Sequence, residues 1–412
     1  MSKKSTGPNK AASTQDAHSH GGAPTINKRG KKKMASEPCW GGVVKTFHLH
    51  IFRDDRDLAL KLLVMILCGG AVFGNSLFGK MLYLSYRVPE EVEEGKAAEP
   101  WYKASYAKGL DDLYFVAFWI IAFTYIRMFV MKDFFYPLAR QFGIRGSKVE
   151  RFAEQGYIVL YYVLSWVSGM WLMYNSPYWM NTEHYWIGYP FDKLNGAMKT
   201  YYLMQFGYWM QQFYVLHTDM KRRDHNAMLI HHFITSLLIG GSYFFHVTPI
   251  GNAILAIMDV ADVFLAVPKM LRYMGFRLVC DVLFGLFVVA WAYTRHYLFV
   301  IVIHALIYQA PQLMDMSWNP AENKLFTPFV KNCFVTLLVG LELVLCFWFL
   351  MILKVIFKMF NGASADDNRS HDEESELEEA DRRASTEKTH VKPTPVRDSP
   401  TVVLRAKAST KA

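Results

Sequence analysis

An all-α polytopic membrane protein is what the sequence predicts, and three observations carry the prediction. Of the 412 residues, 52% are hydrophobic and only 20% are charged. The apolar residues lie in unbroken blocks of about 20, the length at which a helix crosses a ~30 Å hydrocarbon layer. The five cysteines stand singly at 39, 68, 280, 333 and 346, which supports neither a disulfide framework nor a thiolate zinc site. A soluble enzyme is excluded on these grounds, and helix packing in lipid has to hold the fold together.

Taken in order, the chain opens with a basic tail, residues 1–50, predicted to be disordered and cytosolic. Its first 40 residues hold eight Lys and Arg against Asp16 and Glu37. No signal peptide is expected, because the first apolar block begins near residue 58 and no cleavage site follows it. Eight spans are predicted, at 58–82, 113–131, 155–174, 199–217, 227–246, 250–268, 279–305 and 333–357. They divide the chain into a first helix and lumenal loop (51–112), a central bundle (113–305), a last lumenal loop with the final helix (306–360) and an acidic tail (361–412). The connection His246 to Gly251 holds Pro249 and predicts a tight turn that makes spans five and six neighbours. The acidic tail carries nine acids between 366 and 381 against Arg369 alone.

Orientation follows from the basic residues of the short loops. With a cytosolic N-terminus, three cytosolic loops hold eleven: Lys132, Arg140, Arg145, Lys148 and Arg151, then Lys221, Arg222 and Arg223, then Lys269, Arg272 and Arg277. The opposite loops hold seven, and they also carry Trp101, Trp179, Trp186 and Trp318 as interfacial anchors. An even number of spans then places both termini in the cytosol.

Ionisable groups inside spans cost free energy, so each calls for a reason. The densest set combines His231 and His232 in span five with Asp259 and Asp262 in span six. Residues three apart share a helix face, so both carboxylates can point at one place. Adjacent residues differ by ~100° around the axis, so one His faces that place more directly than the other. A carboxylate accepting from one imidazole nitrogen fixes the tautomer and leaves the other nitrogen as base or nucleophile. A diiron centre is not expected, because His225, His231 and His232 form no HxxHH box and His246, His296 and His304 stand apart. Zinc has no thiolate cluster to hold it, so no metal is assigned. Gln205, Gln211 and Gln212 line a cavity or join helices. Arg127 and Arg295 serve snorkelling, packing or substrate contact, and Glu342 falls near the interface. Internal repeats and paired broken helices, the marks of a secondary transporter, are missing.

The stretch from Lys221 to Tyr273 resembles the signature of ceramide synthases, within the TLC-domain superfamily of the endoplasmic reticulum. A Lys-Arg turn ending in Asp224 is followed by His231-His232, a long apolar run, Asp259-Val-Ala-Asp262, then Lys269 and Tyr273, and the likeness continues through Cys280-Asp281 and Thr294-Arg295. It covers about residues 110–355. The homeobox-like insert of many animal members has no room between spans one and two, so the resemblance is to fungal, longevity-assurance-type members.

The resemblance implies that spans two to seven form a TLC-type helical barrel in the endoplasmic reticulum membrane. The implied reaction is N-acylation of a sphingoid base, sphinganine or phytosphingosine, with fatty acyl-CoA as co-substrate and no bound cofactor. His231 is then the first choice to accept the acyl group as an acyl-imidazole or to deprotonate the amine, with His232 as its partner. Asp259 and Asp262 orient the imidazoles. Lys221, Arg222, Arg223, Lys269, Arg272 and Arg277 meet CoA, although positive-inside topology explains them equally. Residues 306–331 bear on acyl choice. Fungal relatives work with a small single-span subunit; homodimerisation stays open and nucleic acid has no part. In the tail, Ser370 and Ser375 resemble casein-kinase-two acceptors and Ser385 a basophilic-kinase acceptor. The rival reading is a TLC protein without chemistry, handling lipids or serving the translocon.

Overall fold

The computed structural model describes residues 55–73, 77–89, 99–218 and 224–360. Both tails, with Ser370, Ser375 and Ser385, lie outside the described residues, as do Lys221, Arg222 and Arg223.

Helices dominate. They are α1 (Asp55–Phe73), α2 (Leu77–Leu82), α3 (Asp112–Gln141), α4 (Lys148–Tyr174), α5 (Gly196–Thr218), α6 (His225–Phe244) and α7 (Thr248–Tyr273). The eighth, α8, starts as Arg277–Trp291, passes through π-helical turns at Ala292–Leu298 and Ala305–Gln309, and ends with Ala310–Leu313; α9 is Pro328–Phe360. Among the described residues six helices, α3, α4 and α6 to α9, are long and apolar enough to cross a membrane, where the sequence predicted eight spans. The two that fall short do so by composition. Four charged residues, Asp55, Arg56, Asp57 and Lys61, stand in the 19 residues of α1, and α5 interleaves Lys199, Gln205, Gln211 and Gln212 with its aromatics. The expected span 58–82 is not one helix: α2 folds back on α1, setting Phe78 against Gly69 and Leu82 against Gly70. Span seven also differs, because its helix runs on to Leu313 and leaves a shorter loop before α9.

Three of these helices stop in the same way. At the end of α7, Gly275 adopts φ +90° while its N–H bonds Arg272 O and the Phe276 N–H bonds Leu271 O, both at 3.0 Å. That pair of bonds caps the last carbonyls of a helix through one left-handed residue. Gly143 plays the same part after α3, and His246, with φ +60°, plays it after α6. The turn between α6 and α7 is therefore only Phe245–Val247, and Pro249 sits in the first turn of α7, where its missing N–H costs nothing.

Helix α4 packs along α7, α7 along α8, α3 along α5, α5 along α6, and α6 against α9. Lipid tails are as apolar as Leu, so the drive for this packing is close fit and interhelical hydrogen bonding rather than expulsion of water. Outward residues such as Leu164, Leu286, Leu343 and Leu350 are accordingly as apolar as the buried ones.

Two short strands, absent from the sequence prediction, pair antiparallel with Tyr106 opposite Leu194: β1 (Ser105–Ala107) and β2 (Lys193–Asn195). They mark one end of the bundle, the hairpin end. A buried ion pair ties it down. Lys199 on α5, wholly buried, meets Asp112 on α3 at 2.7 Å and donates to the carbonyls of Ser85 and Ala107 at 2.9 and 2.7 Å. Asp112 also accepts from Gly109 N–H and Tyr243 Oη. Beside it, Lys108 donates to the Tyr243 carbonyl at 3.2 Å, and burial pushes its ammonium down from 10.5 to about 7.

Candidate active site

At the other end, where Lys269 and Arg272 stand, α6 begins after Asp224 and carries His231 and His232 two turns into the bundle. Being adjacent on a helix, the two rings face different neighbours, as the ~100° step requires. His231 packs against Trp348 of α9, ring centroids 5.3 Å apart, and His232 against Phe213 of α5 at 6.0 Å. Trp209 of α5 stands edge-on to both rings at 5.3 Å and holds them apart.

On α7, Asp259 and Asp262 share a face, as their spacing predicts. Asp259 accepts from Ser165 of α4 at 2.5 Å; Ser165 in turn accepts from the Gln205 amide, and the Gln205 carbonyl accepts from Tyr161 at 2.6 Å. Every donor in that chain points towards Asp259. Asp262 is ion-paired to Arg295 at 2.6 Å, and Arg295 also donates to the Met258 carbonyl at 3.2 Å and lies over the Trp291 ring at 4.2 Å. The π-helical turn Ala292–Leu298 delivers this guanidinium; such turns recur at functional sites.

The expected carboxylate-to-imidazole hydrogen bonds are not formed. Ser165 and Arg295 occupy the carboxylates instead, while Nδ1 of His231 and of His232 are both buried without a partner. A buried polar atom in lipid is costly when unpaired, and here the unpaired atoms border open space. Three cavities converge on them. A narrow apolar one, about 60 Å³, runs from His231, Asp259, Asp262 and Arg295 towards Tyr202, Ser242 and Gly251 near the hairpin end. A polar one of about 200 Å³, bordered by Arg127, Gln212, His225 and Lys269, reaches His232 and Asp262. The third, about 460 Å³, lies among α6, α7, α8 and α9 and reaches His231, His232 and Asp262. Asp262 borders all three.

Of the six basic residues assigned to CoA, Lys269 borders two of these cavities. Arg272 stands on the last turn of α7, and Arg277 opens α8 with a side chain that is not among those described. Arg295, weighed equally between packing and substrate contact from sequence, belongs to the centre. Ser165, Trp209 and Trp348 had no sequence signal beyond being apolar-span residues of ordinary type. His296 and Glu342, placed apart and near the interface by the sequence reading, are hydrogen-bonded at 2.6 Å between α8 and α9. With Cys346 they form a group whose ligand atoms lie within 4.8 Å of one another, separate from the cavities.

Comparison with known proteins fits this arrangement. Residues 151–354 match the TLC domain family. A sphingosine N-acyltransferase of Schizosaccharomyces pombe is 40% identical over 301 residues, 73% of this chain and 74% of that protein. A ceramide synthase of Saccharomyces cerevisiae is 32% identical over 67% of this chain and 69% of its own length. Ceramide synthase 4 of Mus musculus is 30% identical over 56% of each chain. A bundle of membrane helices with a TLC domain, matched over two thirds or more of its length by the two yeast enzymes, identifies the chain as an N-acyltransferase belonging to the fungal, longevity-assurance branch of the TLC-domain ceramide synthase family.

Proposed function

We propose that the chain makes ceramide in the endoplasmic reticulum membrane, joining a sphingoid base to the acyl group of a fatty acyl-CoA, with both termini and the Lys269 end of the bundle in the cytosol. The observation that carries the reading is the convergence of three cavities on His231, His232 and Asp262. A reaction between a polyanionic thioester and two long chains needs three approaches to one point.

CoA is cytosolic, and the polar cavity with Arg127 and Lys269 at its border suits its pantetheine arm and phosphates. The acyl tail threads into the narrow cavity, whose walls are apolar side chains of α6, α7 and α9 that part around it. From His231 to Ser242 along α6 is roughly 16 Å at 1.5 Å per residue. Tyr202, hydrogen-bonded to Ser242, and Gly251 close the far end. Residues 306–331 act on acyl length from outside: buried Phe326 packs on Phe334, which lines the cavity.

The substrate ammonium must give one proton to a base, its nitrogen must bond to the thioester carbon, and the thiolate must leave, taking the nitrogen's second proton as CoA thiol. His231, bordering both the acyl cavity and the widest one, is the reacting imidazole. It acts either as the base that takes the amine proton or as the nucleophile that first receives the acyl group, with His232 beside it. Arg295 has a buried Nε–H without a partner next to this point, a donor for the oxygen that gains charge when the carbonyl is attacked. Asp262 holds that guanidinium, and Ser165 and Gln205 hold Asp259.

The test is acyl transfer by purified wild-type and His231→Ala protein given sphinganine and a ladder of acyl-CoAs, with products read by mass spectrometry. Ceramide from the wild type and none from the variant supports the reading. Ceramide from both removes His231 from the chemistry.

A further inference from the structure

The family assignment leaves open where the second lipid binds. The widest of the three cavities at the centre is walled on one side by Phe287 of α8 and by Trp348, Met351, Ile352 and Val355 of α9, all apolar or aromatic, and is bordered as well by Asp224, Asp262, Lys269 and Arg295. Its flanks, Val282 and Leu286 on α8 and Leu350 on α9, are exposed apolar residues of the kind lipid covers. At the cytosolic rim stands Asp224. Among the described residues its carboxylate has no cationic partner; it accepts from Trp348 Nε1 at 3.2 Å. The same indole ring lies 5.3 Å, centroid to centroid, from His231. One ring therefore spans the distance from an anion at the rim to the reacting imidazole.

We propose that this groove is the receiving site for the amine substrate, a single-chain lipid amino alcohol, with Asp224 taking its ammonium and Trp348 its near face while the chain lies between α8 and α9. The inference rests on the acyl-transfer reading above. Charge decides the occupant. Of the charged residues bordering the groove, Asp262 is ion-paired to Arg295 at 2.6 Å and Lys269 stands on α7, while Asp224, against Trp348, is the carboxylate without a cationic partner among the described residues. A cation held by a carboxylate against an indole gains both an ionic hydrogen bond and a cation–π contact. Sliding along the ring brings the nitrogen to His231, the group assigned to remove its proton or to carry the acyl group it attacks.

The experiment has two arms on the full chain in lipid nanodiscs. In wild-type protein, sphinganine carrying a diazirine in its chain is photo-crosslinked and the adduct mapped by mass spectrometry; it is expected on α8 and on α9 between 348 and 355. A label on α3, or on α4 or α5 away from Tyr162 and Trp209, which border the groove, overturns the proposal. Kinetics form the other arm. Asp224→Asn is expected to raise KM for sphinganine about tenfold, the loss of one charged hydrogen bond, with KM for palmitoyl-CoA moved less than about twofold, and Asp224→Glu to restore it. A rise in both KM values together, or none in either, overturns the assignment of Asp224. The crosslink locates the amine whether or not His231→Ala retains activity, so failure of the groove and failure of the reacting centre are told apart.

Discussion

Charge is buried in two layers of this protein, and the layers are finished differently. At the hairpin end, Lys199 has an ion pair and two carbonyls, and Asp112 has that ion pair, a backbone N–H and a phenol. At the centre, both imidazole Nδ1 atoms and the Arg295 Nε are left unpaired, and they stand beside cavities. A buried polar group that serves the fold is worth its desolvation only when its partners are complete. Spare hydrogen-bonding capacity next to open space is what a site that receives ligands needs. On the proposed function the first layer is scaffold and the second is chemistry, and substitutions in each should fail in different ways.

The largest effect is expected at His231. Its replacement by Ala should lower the rate of acyl transfer by about 10²–10⁴-fold or more, the range for loss of a proton-transferring or nucleophilic side chain, with insertion and thermal stability close to wild type. Acyl-transfer assays beside a melting curve measure both. A variant that loses stability in step with activity would place His231 in the scaffold and erase the contrast.

At Lys199 the pattern should invert. Removing one partner of a buried ion pair leaves an uncompensated charge and costs about 3–5 kcal/mol, so Lys199→Ala should express poorly and melt early. Whatever fraction folds should keep its acyl-CoA and amine KM values. Normal melting with an altered KM would mean that the hairpin-end layer takes part in binding.

How much of this contrast the sequence discloses depends on whether partners are close along the chain. His231-His232 and Asp259-Val-Ala-Asp262 are legible because adjacency and a three-residue step fix their directions on a helix, and the apolar blocks make the membrane setting plain. Lys199 and Asp112 are 87 positions apart, so nothing local announces their pairing. Arg295, by its depth in span seven, suits snorkelling or packing as well as substrate contact; the π-helical turn that aims it at Asp262 has no pattern of its own. The missing imidazole-to-carboxylate bonds have the same origin. Ser165 and Arg295 reach the carboxylates from α4 and α8, and their approach is settled by tertiary packing. Similarly, the fold-back of α2 on α1 turns an apolar run that reads as one span into two helices.

Between the layers lies the floor of the narrow cavity proposed for the acyl tail, where a smaller effect is expected. A Cβ added at Gly251 would come within 1.8 Å of the Tyr202 hydroxyl, which is bonded to Ser242, so Gly251→Ala must push the floor inward or break that contact. Acyl-CoA competition read by mass spectrometry should show a shift towards shorter products, by about fourfold for each methylene no longer accommodated, taking ~0.8 kcal/mol per buried methylene. Tyr202→Phe, which keeps the ring and removes the bond, should shift it less. An unchanged product profile in both would disconnect Ser242 and Gly251 from chain length.

The smallest effect belongs to Lys108, the incompletely matched member of the hairpin-end layer. Among the described residues its one direct hydrogen bond is to the Tyr243 carbonyl, and burial pushes its ammonium down from 10.5 to about 7. Between those two values the unfolded chain binds more protons at this residue than the folded one, so stability at this site rises as pH climbs from about 7 to 10.5. Below about 7 both states are protonated and the penalty is complete. Lys108→Met removes the charge and loses one hydrogen bond worth about 0.5–1.5 kcal/mol. Its advantage over wild type should therefore be greatest near pH 7 and shrink towards pH 9, measured by thermal melting of the purified proteins across that range. Parallel curves for the two proteins would mean that Lys108 is as fully compensated as Lys199.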